Sequence, residues 1–181
     1  MNVEKTSLDD VLLVRPVIFR DARGSFMESY NERQMADAGL PTRWVQDNFS
    51  VSCRNVLRGI HYQIAQPQGK LVRVTHGAVF DVAVDLRRGS SSFGQHLAIE
   101  LSRENGLMLW IPPGFGHAFL ALSDEAAFAY KVTDYYSPAA ERTIVWNDPD
   151  LAIRWPIAEG DVIVSEKDRK GARLRQAELF P

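Results

Sequence analysis

The stretch Gly106-Leu-Met-Leu-Trp-Ile-Pro112-Pro-Gly114-Phe-Gly116-His117 decides how this chain folds. Its apolar run Leu107–Ile111 reads as a strand. Pro112, Pro113 and Gly114 end that strand, because proline gives no N–H to a sheet ladder and glycine accepts turn geometry. His117 then starts the next strand, continued by Ala118–Leu122.

Similar short runs lie on both sides. Val79-Phe-Asp-Val-Ala-Val-Asp-Leu86 places Phe80, Val82, Val84 and Leu86 on one face, with Asp81, Ala83 and Asp85 on the other. That period of two marks a strand with one face in a core. Further runs are Val11–Phe19, Ser25–Tyr30, Lys70–His76, His96–Leu101, Ala126–Val132 and Thr143–Trp146, separated by Gly, Ser, Asn and Pro clusters. Many short strands with turns between them predict an all-β sandwich or barrel. One short helix should be capped by Asn31, with Gln34 as capping-box partner and Gly39 ending it. A second should start at Ser165. No repeat, linker or low-complexity segment interrupts the chain, so one domain over residues 1–181 is expected.

Composition removes several function classes. At 181 residues the chain can bury a full core. A net charge of -2 with scattered basic residues leaves no footprint for nucleic acid. The polar N-terminus is unlike a signal peptide and no apolar run reaches membrane-spanning length, so a cytoplasmic protein is expected. Cys53 is the only cysteine, which rules out an intrachain disulfide.

Five residues separate Gly106 from Pro112, and P-x-G-x-x-H follows. That spacing resembles the second motif of the cupin superfamily of small β-barrels, whose histidine faces the barrel interior. Gln46-Asp-Asn-Phe-Ser50, Val56-Leu-Arg-Gly-Ile-His-Tyr-Gln63, Gln68-Gly-Lys70, Tyr130-Lys-Val-Thr-Asp-Tyr-Tyr136 and Ser165-Glu-Lys-Asp168 add to it. Together these segments resemble the dTDP-4-dehydrorhamnose 3,5-epimerase family over almost the whole chain. The resemblance implies a cupin-type jelly roll with a few short helices, a homodimer, and metal-independent epimerisation of a dTDP-4-keto-6-deoxyhexose without a cofactor. Relatives that epimerise only C3 or only C5 keep the same His, Lys and Tyr, so the reacting carbons stay open.

Many cupins bind a metal through two His and a Glu in their first motif plus the motif-two His. Here Gln63 occupies the second His position after His61, and no suitably spaced Glu follows. His61 and His117 would supply only two of the three or more ligands that zinc or iron requires. No metal is expected.

Epimerisation next to a ketone needs a base on one face, a positive group at the carbonyl oxygen, and an acid on the other face. Histidine is the side-chain type suited to proton transfer at physiological pH, and His61 shares a strand face with Gln63, so it is the candidate base. Its plain alternative is a hydrogen-bonded structural histidine. For Asp168, spacing alone favours a helix-capping role; the resemblance makes it the partner of His61, and both roles can coexist. Lys70 is by type a surface residue, whereas the resemblance makes it the enolate stabiliser. Tyr130 reads either as a core tyrosine or, by resemblance, as the acid; Tyr136 is the runner-up acid or, alternatively, a substrate-binding residue that packs against the nucleotide. The resemblance further places Arg23 and Arg58 at the diphosphate, where guanidinium suits phosphate geometry. It also places Phe26 and Glu28 near the thymidine of a neighbouring subunit. Gln46, Asn48, Gln63, His117, Glu141 and Lys167 resemble further substrate-binding positions.

Overall fold

The computed structural model describes residues 1–181. Thirteen strands form in chain order: β1 (Asn2–Lys5), β2 (Leu12–Arg15), β3 (Ile18–Asp21), β4 (Gly24–Met27), β5 (Gln46–Cys53), β6 (Leu57–Gln63), β7 (Lys70–His76), β8 (Ala78–Asp85), β9 (His96–Ser102), β10 (Met108–Ile111), β11 (Phe115–Ala121), β12 (Glu125–Val132) and β13 (Glu141–Thr143). Two short helices, α1 (Glu32–Asp37) and α2 (Glu166–Arg169), punctuate them.

The strands build two antiparallel sheets that pack as a jelly roll. One has the order β1-β2-β10-β7-β12-β5, the other β13-β6-β11-β8-β9, and β3-β4 stands apart as a hairpin. The barrel core lies between the sheets: Val72, Leu109 and Phe128 from the first meet Val79, Leu101 and Phe119 from the second. Phe119 and Phe128 stack at 4.4 Å across the gap, an offset aromatic contact worth about 0.5–1.5 kcal/mol beyond area burial.

Several local expectations change. Val11–Phe19 is two strands in different sheets, because Pro16 has no N–H to continue the ladder. His117 lies inside β11 rather than at its start: Gly114 turns the chain with φ +96, and the ladder with β8 begins at once at Phe115 opposite Asp85. The last run pairs earlier than expected, over Glu141–Thr143. Asn31 caps α1 by accepting the Gln34 N–H at 3.1 Å, and Gly39 follows the helix with φ +73. Gln34 does not close a reciprocal box; its amide donates to Glu28 at 2.8 Å.

The largest correction concerns β8. The face carrying Asp81, Ala83 and Asp85 is not a solvent face, since all three are fully buried. The opposite face, with Val82, Val84 and Leu86, packs under Ile144, Leu151 and Leu174 from the C-terminal segment. A strand covered on both sides cannot show its inner face by alternation alone.

Candidate active site

β6 and β11 of one sheet and β7 and β12 of the other line a cavity of about 250 Å³. His61 enters it from β6 and Tyr130 from β12, so the two stand on opposing sheets. Lys70, at the first position of β7, reaches the same space.

Asp168 orients His61. The imidazole Nε2 lies 2.5 Å from Asp168 Oδ1, and Oδ2 accepts the Gly59 N–H at 3.4 Å. Ser165 meanwhile caps α2, its hydroxyl accepting the Asp168 N–H at 3.1 Å. The Asp168 backbone thus receives the Ser165 cap while its side chain pairs with His61. Burial pushes the Asp168 carboxyl up, but the hydrogen bond and charge of His61 bring it below its ordinary value. An ionised carboxylate in that position fixes the ring and stabilises it once protonated.

Lys70 is only 8% exposed, which removes the surface reading. Its Nζ donates to the His61 carbonyl oxygen at 3.3 Å, leaving further N–H groups for a ligand. Burial lowers its pKa to about 8, against the opposing pull of Asp81 and Glu141. At neutral pH it is a buried ammonium.

Asp81 is buried behind the cavity wall against His117, and strand alternation hides it by putting it on the face opposite the apolar one. Its carboxylate lies 2.9 and 3.1 Å from His117 Nε2. Burial pushes His117 down, outweighing Asp81, so the ring is neutral and donates Nε2–H to the carboxylate. The available signal is the pair of aspartates, Asp81 and Asp85, within the otherwise apolar β8.

At the rim, Glu141 accepts from the Tyr136 hydroxyl at 2.8 Å and pairs with Lys167 Nζ at 2.5 Å. Arg58 is exposed there, its Nε donating to Ser52 Oγ at 3.0 Å. Burial raises the Tyr130 phenol, with Glu141 adding to the shift, so it keeps its proton. Gln63 lines the cavity, yet its amide is bonded to backbone groups at Gln66, Tyr135 and Ser137. No group of three His, Cys, Asp or Glu side chains converges as metal ligands do.

Other expected binding residues lie outside this cavity. Arg23, Phe26 and Glu28 belong to the β3–β4 hairpin and the segment after it. Arg23 bonds Asp21 at 2.7 Å, Phe26 is 71% exposed, and Glu28 accepts from Gln34 and Asn31. Gln46 and Asn48 bond each other at 2.7 Å on the edge strand β5.

Gly59 sits two residues before His61 with φ +119, and a Cβ there would meet the His117 carbonyl oxygen at 2.5 Å. Gly59→Ala should cost roughly 2–5 kcal/mol, combining overpacking with positive-φ strain. Urea unfolding would show it, and an unchanged midpoint would refute the close packing.

A family profile described as dTDP-4-dehydrorhamnose 3,5-epimerase matches residues 5–176. The chain belongs to that family. It is an enzyme, an isomerase. The dTDP-4-dehydrorhamnose 3,5-epimerase of Pseudomonas aeruginosa is 54% identical over 182 residues, with 100% of both chains covered. The crystal structure of the dTDP-6-deoxy-D-glucose-3,5-epimerase of Legionella pneumophila, in complex with dTDP-4-keto-L-rhamnose, matches with a TM-score of 0.95. That pair is 48% identical and covers 99% of this chain and 97% of the other. A dTDP-4-dehydrorhamnose 3-epimerase from Streptomyces niveus is 38% identical over 186 residues, covering 100% of this chain and 89% of that relative. No helix is long and apolar enough to cross a membrane.

Proposed function

We propose that this epimerase inverts C5 and C3 of dTDP-4-dehydro-6-deoxy-D-glucose to give dTDP-4-dehydro-L-rhamnose. The observation that carries the reading is the opposition of His61 and Tyr130 across one cavity, with the Lys70 ammonium beside them. The His61 ring nitrogen that does not face Asp168 takes the proton alpha to the C4 ketone. The electron pair of that C–H bond forms the enolate, whose oxygen the Lys70 ammonium stabilises. Tyr130 then returns a proton to the same carbon from the opposite face, which inverts it. His61 releases the abstracted proton to solvent and the Tyr130 phenolate regains one from solvent, so the pair is reset and the same sequence at the second carbon completes the product. His117 and the Tyr136–Glu141–Lys167 rim border the sugar, and Arg58 faces the diphosphate at the mouth.

A single-carbon epimerisation is the second reading, favoured by the likeness to the Streptomyces niveus 3-epimerase. Incubation with the substrate in D2O, followed by NMR of the C3 and C5 protons, separates the two. Exchange at both carbons supports the 3,5-epimerase, exchange at one supports the alternative, and exchange at neither removes both. Because no step runs through a metal, chelator treatment should leave the exchange rate unchanged; loss of exchange with EDTA would overturn the mechanism.

We further propose a homodimer, because the hairpin places Arg23 and Phe26 in solvent rather than in the chain's own cavity. Light scattering should give twice the chain mass, and Arg23→Ala should raise KM for the sugar nucleotide several-fold. A fully active monomer would sink the proposal.

A further inference from the structure

The backbone between Asp134 and Ser137 crosses the rim beside the cavity without belonging to a strand. Glutamine side chains from three different segments hold it. From β6, Gln63 uses its whole amide: Nε2 donates to Gln66 O at 2.8 Å and Tyr135 O at 3.2 Å, and Oε1 accepts the Ser137 N–H at 2.8 Å. Gln68 donates to Asp134 O at 2.9 Å, and Gln46 accepts the Tyr136 N–H at 3.2 Å. Gln63 is the buried member, 4% exposed. Deleting its amide removes three hydrogen bonds at once from the Gln66, Tyr135 and Ser137 backbone, which no other side chain in the structure bonds at those atoms. Gln63 fixes the residues on both sides of Tyr136, whose own N–H Gln46 accepts, and these anchors together set its approach to Glu141.

We infer that Gln63 is a positioning residue that acts through Tyr136: it fixes the 134–137 segment over the cavity and so sets affinity for the sugar nucleotide, rather than contacting it. This rests on the epimerase reading of the cavity. The position that would carry a metal-binding histidine in an H-x-H motif is used here to anchor a wall of the site.

The test is a double-mutant cycle in KM for dTDP-4-dehydro-6-deoxy-D-glucose, with dissociation constants for dTDP measured by calorimetry alongside. Gln63→Leu, close in volume, should raise KM at least tenfold with a smaller fall in kcat. Tyr136→Ala should raise KM similarly, and adding Gln63→Leu to it should change KM less than twofold further. Multiplying effects would overturn the inference, as would an unchanged KM in Gln63→Leu. If Gln63→Leu does not fold, Gln63→Glu serves: its carboxylate cannot donate to the Tyr135 carbonyl. KM should then fall toward the wild-type value as pH is lowered and the carboxyl gains a proton. A pH-independent KM in that variant overturns the inference too. Solvent exchange by the wild type tests the epimerase reading separately. Should that fail, the dTDP dissociation constants still decide whether Gln63 acts through Tyr136.

Discussion

His61→Ala should lower kcat by roughly 10²–10⁴-fold or more, the contribution typical of a positioned general base. The imidazole is half-buried, faces the cavity and is tied at 2.5 Å to a buried carboxylate. No other side chain in the cavity combines a basic ring nitrogen with a carboxylate partner and free access. His117 has the partner, but it is buried and its Nε2–H is committed to Asp81. On the proposed mechanism, in which one base serves both carbons, solvent exchange at C3 and C5 should vanish together in this variant. KM should move far less than kcat, because the group acts on the proton being removed. Turnover like that of the wild type would rule out His61 as the base; loss at one carbon only would assign a second base.

The second large effect is expected at Lys70. Lys70→Met keeps the aliphatic stem and deletes the ammonium, and should cost roughly 10²–10³-fold in kcat, as does removing one oxyanion-stabilising donor. A pH signature distinguishes this role from packing. With its pKa lowered to about 8 by burial, Lys70 loses its proton above that pH and kcat/KM should fall there. Asp81 pulls that pKa upward, so Asp81→Asn should move the basic limb to lower pH. Stability should follow the opposite sign. Unfolded, this lysine titrates near 10.5, so between about pH 8 and 10.5 the unfolded chain binds more protons than the folded one. The Lys70 contribution to stability therefore rises with pH across that window. Activity lost above pH 8 while the Lys70 contribution to stability rises would identify deprotonation of this ammonium. A basic limb unmoved by Asp81→Asn would refute the coupling.

Local chemistry makes much of the fold legible in the chain itself. Alternation in Val79–Leu86, the Pro/Gly break at Pro112–Gly114 and the caps at Asn31 and Ser165 are decided within a few residues, so sequence alone shows them. β5 does not read as a strand because its inner face is polar. Asn48, Ser50 and Ser52 alternate with the exposed Phe49 and Val51, the inverse of a core-facing pattern. The same inversion hides Asp81. Periodicity separates two faces, but it cannot say which of them is covered when a second layer packs outside the sheet.

By itself, the sequence determined an all-β chain, the family to which it belongs, and the residue types able to remove, stabilise and return a proton. Only the tertiary structure decided how they are arranged. It set His61 opposite Tyr130 on separate sheets, buried Lys70 until its pKa fell, and paired Asp81 with His117. It also turned the Gln63 amide onto the 134–137 backbone. Distance and desolvation come from residues far apart in the chain, such as His61 and Asp168, and no local pattern encodes them.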